Sequence, residues 1–244
     1  MEVHAHSHTP RKNWTHYLWE FLMLFLAVFC GFLAEYKLEQ TIERHREKEF
    51  IQSFIEDLKT DTAAINRVLT FRKSKEKIID SLILLLSAQQ IKGHENDLYY
   101  FGRILVRTAR FLSNDRTITQ LKNSGSLRLI RSEQAADSMM SYQKLVEIIY
   151  LNQEDDRIER RATDPILSRM FNPFVLIKMV VADGINRPTD NPPLRSYDQN
   201  LYLDLAYYIN QLNGSNFLIV GRLNLLNEKA INIINFLEKE YHLN

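Results

Sequence analysis

The residues best suited to chemistry gather near the amino terminus, where His4, His6 and His8 alternate along the chain. Three imidazoles at that spacing can chelate a transition metal in an extended segment, but a tetrahedral site also needs a fourth ligand and hydrogen bonds that orient the rings. Residues 1–13 carry no apolar periodicity, so a solvated, disordered tail is expected there and no metal is assigned to it. A second candidate is the run Glu35, Glu39, Glu43 and Glu47, with one carboxylate per helical turn. Such a stripe repels itself by a few tenths of a kcal/mol per pair, offset in part by Glu43 with Arg46 and Arg44 with Glu47 at i, i+3. A hard cation takes ligands from several directions, so the stripe reads as one face of a solvated stalk. Glu154, Asp155 and Asp156 are adjacent on a helical pattern, and adjacent helical side chains diverge, which makes them poor joint ligands.

The chemistries with short sequence signatures are missing. No His-Glu-x-x-His, Walker loop, Gly-x-Ser-x-Gly or Cys-x-x-Cys occurs. His45, His94 and His242 fall in the stalk, a loop and the terminus, too scattered for a base with its nucleophile or for a metal set. The 31 Lys and Arg residues balance 30 Asp and Glu, and no basic cluster with interleaved aromatics appears, which argues against nucleic-acid partners. The single cysteine, Cys30, has no partner in the chain for a disulfide. No catalytic, cofactor-binding or metal-binding residue is assigned, and no cofactor is expected.

The elements that would position any site start from Tyr17 to Ala34, YLWEFLMLFLAVFCGFLA, in which Glu20 is the single charge. A helix of that length spans roughly 27 Å, close to the hydrocarbon thickness of a bilayer. Trp14, Tyr17 and Trp19 at one end and Tyr36 past the other match an aromatic belt. A cleavage site before Glu35 would put Phe32 where a small residue belongs, so the segment is expected to stay as an anchor, residues 14–35. Arg11 and Lys12 lie close on the amino side, whereas only Lys37 occupies the first nine residues beyond. That asymmetry favours a cytoplasmic amino terminus and a periplasmic carboxyl-terminal domain in a single-pass inner-membrane protein. Ala27 and Gly31 form a small-residue pair that suits helix association in lipid.

A charged helical stalk follows over 36–50, then a helical bundle domain over 51–244. Ile51, Ile55, Leu58, Thr62, Ile65 and Leu69 alternate spacings of four and three, interrupted by Arg72 and Glu76 and resumed at Ile79, Ile83 and Leu86. One helix from the anchor to about Gln90 is predicted, with Asp97 capping a second from about Leu98 to Leu112 that buries Phe101, Leu105, Thr108 and Leu112. Asn114 or Asp115 caps a short third segment that stops at Gly125 in the left-handed C′ position, and Ser132 caps a helix over 133–161 with Ala135, Met139, Tyr142, Val146 and Ile149 on its seam. Asp164-Pro165 opens a short helix, and 174–181 is either a strand or a buried helical turn. Pro188, Pro192 and Pro193 mark 183–200 as an irregular, mobile connector. Two last helices, 201–212 and 216–241, are expected on either side of Asn213-Gly214, with Asn227 breaking the seam of the second.

The order of parts, an anchor ending Phe32-Leu33-Ala34-Glu35, a charged stalk, then LKNSGSLRLI over 121–130 followed by Tyr142, resembles a family of uncharacterised bacterial single-pass membrane proteins. The resemblance implies an anchored helical domain and carries no activity. The sequence as a whole is read as all-α: a transmembrane helix running into a long amphipathic helix, packed in an elongated bundle. The expected function is a non-enzymatic interaction or accessory role, with the lipid bilayer and a protein partner or self-association through helices as its contacts. One alternative is a ligand-sensing bundle with a pocket near Tyr99, Tyr100, Tyr142 and Tyr207. Another is a membrane-bound hydrolase or transferase with an unrecognised carboxylate site.

Overall fold

The computed structural model describes residues 13–88 and 91–243, so the His4, His6 and His8 tail lies outside the described residues. The protein is all-α, with a two-residue hairpin as its one piece of sheet among the described residues. Helix α1 spans Trp14–Ser87, α2 Glu95–Leu105, α3 Arg116–Asn123, α4 Glu133–Ala162, α5 Asp164–Met170, α6 Pro173–Lys178 and α7 Gln199–Glu240. A 3₁₀ turn, Ser126–Leu129, joins α3 to α4, and strands β1 (Val180–Val181) and β2 (Gly184–Ile185) pair antiparallel. The chain divides into two compact units, Met1–Phe50 and Ile51–Asn244.

In the first unit, α1 contains the one stretch among the described residues that is long and apolar enough to cross a membrane, and none of its apolar window is buried. Phe21, Phe25 and Phe29 recur at i, i+4, so their rings stack in a ladder with centroids 6.3 and 5.9 Å apart.

In the second unit the alternating four-three spacing turns one side of each long helix inward. Ile51, Ile55, Leu58, Ile65 and Leu69 of α1 are buried, as are Ala135, Met139, Tyr142, Val146 and Ile149 of α4. Helices α4 and α7 pack along one another. Ser132 caps α4 by accepting from the Ala135 N–H, and Gly125 takes φ +66° just past α3, as its sequence position predicts.

Several boundaries depart from the sequence reading. Helix α2 begins at Glu95 rather than after Asp97, and no side chain of its N-cap residue, His94, takes a backbone N–H. Instead Glu95 Oε2 accepts from the Gly93 N–H at 2.8 Å, while Asp97 pairs with Arg187. The helix stops at Leu105, and the segment to Asp115 is a connector in which Phe111 is buried and Leu112 is 73% exposed. The periodic extrapolation to Leu112 fails because this backbone finds partners on other helices, described below. Residues 173–178 form a helical turn, capped by Asn172 accepting from the Phe174 N–H at 3.0 Å. The interval 183–200 is tied down rather than loose: Asn191 Nδ2 and Tyr197 Oη donate to Glu95 at 2.6 and 2.9 Å, and Tyr99 Oη donates to the Pro193 carbonyl at 3.0 Å.

The last two predicted helices are one, α7, 42 residues long. Gly214 costs about 1 kcal/mol against alanine in a helix interior, too little to break a helix whose flanking Leu205, Ile209, Leu212, Ile219 and Leu223 are all buried on one side. The inner seam of its second half runs through Ile219, Leu223, Leu226, Ala230 and Leu237, and the buried polar residue on it is Asn216.

Candidate functional site

The seams of α1, α4 and α7 all turn polar at one level. On α1 the apolar positions Ile65 and Leu69 give way to Arg72 and Lys75 before Ile79 resumes. On α4 the positions after Ile149 are Gln153, Asp156 and Arg160, and on α7 Asn216 separates Leu212 from Ile219. The result is a buried polar layer. On one side of it an apolar cluster includes Ile79, Leu82, Leu98, Ile166, Leu205 and Leu212.

The layer is closely bonded. Arg160 Nη2 donates to both Asp156 oxygens at 2.7 and 2.8 Å, and Arg160 Nη1 to the Leu105 carbonyl at 2.5 Å. Arg72 Nη1 donates to Asn216 Oδ1 at 2.9 Å and lies 3.7 Å from Asp156 Oδ1, while Asn216 Nδ2 donates to Glu76 at 3.1 Å. Lys75 Nζ donates to the Leu105 and Arg107 carbonyls at 2.6 and 2.5 Å. Gln153 takes both backbone groups of Phe111, accepting from its N–H at 2.7 Å and donating to its carbonyl at 3.0 Å. The connector after α2 thus has its backbone bonded by side chains of α1 and α4 in place of a helix of its own, which buried peptide groups require.

Three cations surround one buried carboxylate. Burial and the neighbouring Arg160 push the Lys75 ammonium down to about 7, against the pull of Asp156. Burial likewise lowers Arg72, whose proton nevertheless stays, as a guanidinium's does. Arg72 is 2% and Asp156 1% exposed, so the layer offers no surface to a dissolved substrate. Its arrangement suits fixing the axial register of three helices and the path of the connector.

A second cluster lies about three to four turns from Arg72 towards Phe54 on α1. Asp61 Oδ2 accepts from Ser113 Oγ at 2.6 Å and Tyr142 Oη at 2.7 Å, and Asp61 Oδ1 accepts from the Asn114 N–H at 2.6 Å. Asp57 accepts from Asn114 Nδ2 at 2.7 Å and from the Thr117 N–H at 2.9 Å. Helix α3 is therefore capped by Asp57 of another helix; its own N-cap residue, Asp115, makes no side-chain cap bond, nor does Asn114 accept one from α3. Burial raises the Asp61 carboxyl despite these donors, and burial with Asp61 alongside raises the Tyr142 phenol. At Glu95 the balance reverses: burial raises it, but donors from Tyr197, Gly93 and Asn191 hold it below the usual range.

The residues singled out in the sequence are not brought together. Among the described residues no group of three or more His, Cys, Asp or Glu is placed to hold a metal. Glu154 faces solvent with Arg157 while Asp156 turns into the polar layer, so the acidic triplet does diverge. Of the four tyrosines, Tyr99 and Tyr142 are buried on different partners, Tyr207 is exposed with its ring edge-on to Tyr208, and Tyr100 lies under Arg187. None of the four lines a cavity described among these residues, and each belongs to a different stretch of core or surface.

Lys75, Gln153, Arg160, Asn216, Asp57 and Asp61 carry no motif signature, and Asp156 reads in the sequence as one of three diverging acids. The signal for several of them is present: the α4 seam Ala135, Met139, Tyr142, Val146, Ile149 continues in the same rhythm to Gln153, Asp156 and Arg160. Polar residues that hold seam positions in successive turns mark a buried network.

No family model, curated protein or solved structure matches the chain.

Proposed function

We propose that the chain is a non-enzymatic, membrane-anchored interaction or accessory protein. In this reading the apolar part of α1 sits in the inner membrane with the amino terminus cytoplasmic, and residues 51–244 present helical faces in the periplasm. The resemblance to bacterial single-pass membrane proteins, carried by the anchor and LKNSG, belongs to the same proposal.

One observation carries the interaction reading. Helix α7 has two apolar sides: one is its core seam, and the other bears Leu203, Tyr207, Phe217, Leu218 and Leu225, all exposed, with Phe217 at 81%. At 100° per residue these five fall opposite Leu205, Leu212, Leu223 and Ala230. Exposed apolar side chains gathered on one side of a helix in this way suit a place where another protein surface packs. The anchor is supported by the unburied apolar window of α1, whose exposed rings and aliphatic chains prefer lipid or another apolar helix to water.

In vivo crosslinking from a photoreactive residue at Phe217, followed by mass spectrometry, tests the reading. A recurrent partner, or a second copy of the chain, is the expected result. Crosslinks no more frequent than those from an exposed polar position on another helix, such as Lys122 of α3, would sink it. Resistance of the full chain to alkaline carbonate extraction checks the anchor. Alkaline phosphatase fused after Asn244 reports the orientation: activity is expected, and an inactive fusion in cells where a cytoplasmic fluorophore at the same place is bright would overturn it.

A further inference from the structure

Helices α2, α5 and α6, with Arg195 of the connector before α7, line a half-open cavity of about 300 Å³. Its body is apolar, with Val106, Leu167, Phe171, Pro173 and Leu176 as walls, and its charged members are Arg103, Arg195 and Asp164. That volume is at the small end of ligand sites, and an apolar chamber with a few polar groups is their usual make-up.

The walls are held in place. A Cβ at Gly102 would lie 2.6 and 2.7 Å from Phe171 Cε2 and Cζ, so the missing side chain is what lets the Phe171 ring lie against α2. Behind it the Tyr99 ring packs at a centroid distance of 4.9 Å. The Tyr99 hydroxyl accepts from the Asn172 N–H at 3.0 Å and donates to the Pro193 carbonyl at 3.0 Å, which anchors both chain segments flanking the cavity. Arg195 is fixed as well: its N–H donates to the Met170 carbonyl and its Nη1 to the Ser168 carbonyl, each at 2.9 Å.

Arg103 is the member whose bonding is incomplete. Its Nε is buried without a hydrogen-bond partner. A buried guanidinium N–H is costly to leave unmade, and an acceptor that enters the cavity can satisfy it. Two guanidinium groups against the single Asp164 carboxylate leave a positive surplus, and the planar fork of arginine matches a carboxylate.

We propose that this cavity binds a small organic carboxylate, with its apolar body against Phe171 and Leu176 and its carboxylate on Arg103, Arg195 completing the positive rim. The site is independent of the anchoring and of the α7 face, so its failure would leave that reading standing.

The probe is 3-phenylpropionate, small enough for the cavity and soluble enough to stay out of lipid, titrated by calorimetry into the full chain in nanodiscs with empty nanodiscs subtracted. Saturable binding is expected, weakened at least tenfold for the matching alcohol 3-phenyl-1-propanol and absent for 3-phenylpropylamine. Arg103→Gln is expected to lower the affinity for the acid at least tenfold while leaving binding of the alcohol unchanged. Arg195→Gln, which serves if the first variant does not fold, is expected to lower it several-fold. No saturable binding, equal binding of acid and amine, or full affinity for the acid in the folded variant overturns the proposal.

Discussion

Replacing Lys75 by methionine tests whether the polar layer holds an amine that the fold strips of its proton. In the native protein Lys75 titrates at about 7 because it is buried beside Arg160 and Arg72, whereas in the unfolded chain a lysine keeps its proton to about 10.4. Stability rises with pH wherever the unfolded chain binds more protons than the native one. Below about pH 7 both states are protonated, and the burden of the buried charge is constant. Above it the native amine is neutral, and stability climbs by up to about 1.4 kcal/mol per pH unit, or about 2–3 kcal/mol between pH 6 and 9. Urea unfolding of the full chain in mild detergent, followed by helical circular dichroism at both pH values, measures this gain. In Lys75→Met the gain attributable to this residue disappears. The variant also removes the Lys75 donor from the Arg107 carbonyl, a cost of about 1–3 kcal/mol, while the Leu105 carbonyl keeps Arg160, but that loss displaces the whole profile without tilting it. Wild-type and variant profiles that run parallel from pH 6 to 9 would refute a depressed Lys75.

Gly102→Ala drives a methyl group into the Phe171 ring and is expected to destabilise the bundle by about 1–3 kcal/mol, seen as a lower urea midpoint with an unchanged slope. Asp61→Ala strands the Asn114 N–H and the Tyr142 hydroxyl and should cost about 3 kcal/mol by the same assay; a loss below about 1 kcal/mol would mean that water takes over as the acceptor. Gly214→Ala should stabilise by about 0.5–1 kcal/mol, because the residue is helical and a Cβ there meets nothing within 4 Å. A destabilised Gly214→Ala would show a helix break at that position.

The long helices were legible because their apolar positions repeat every three and four residues with little interruption, and the Ser132 cap and the left-handed Gly125 were legible from local chemistry. What the sequence hid were decisions made at a distance. The end of α2 at Leu105 depends on Gln153 and Lys75 serving the connector's backbone, and the start of α3 depends on Asp57 of α1. Gly214 reads locally as a stop, yet buried leucines on both sides carry the helix through it. The cavity beside Phe171 draws its members from segments some 90 residues apart, with one glycine making room for the ring, and nothing at the level of spacing announces that. The four tyrosines have separate neighbours for the converse reason: aromatic residue type says nothing of which groups a ring will meet.

Asp57 and Asp61 draw their partners from residues 52 to 81 positions away. Loops of that size must close before either carboxylate is rewarded, so these bonds belong to the late, non-local part of assembly. A nascent chain that has made α1 but not yet residues 113–117 holds two acids one turn apart with only water to answer them. The order of the 106–115 connector therefore reports that α1 and α4 have met, and slow exchange of the Asn114 and Thr117 amides marks a finished molecule.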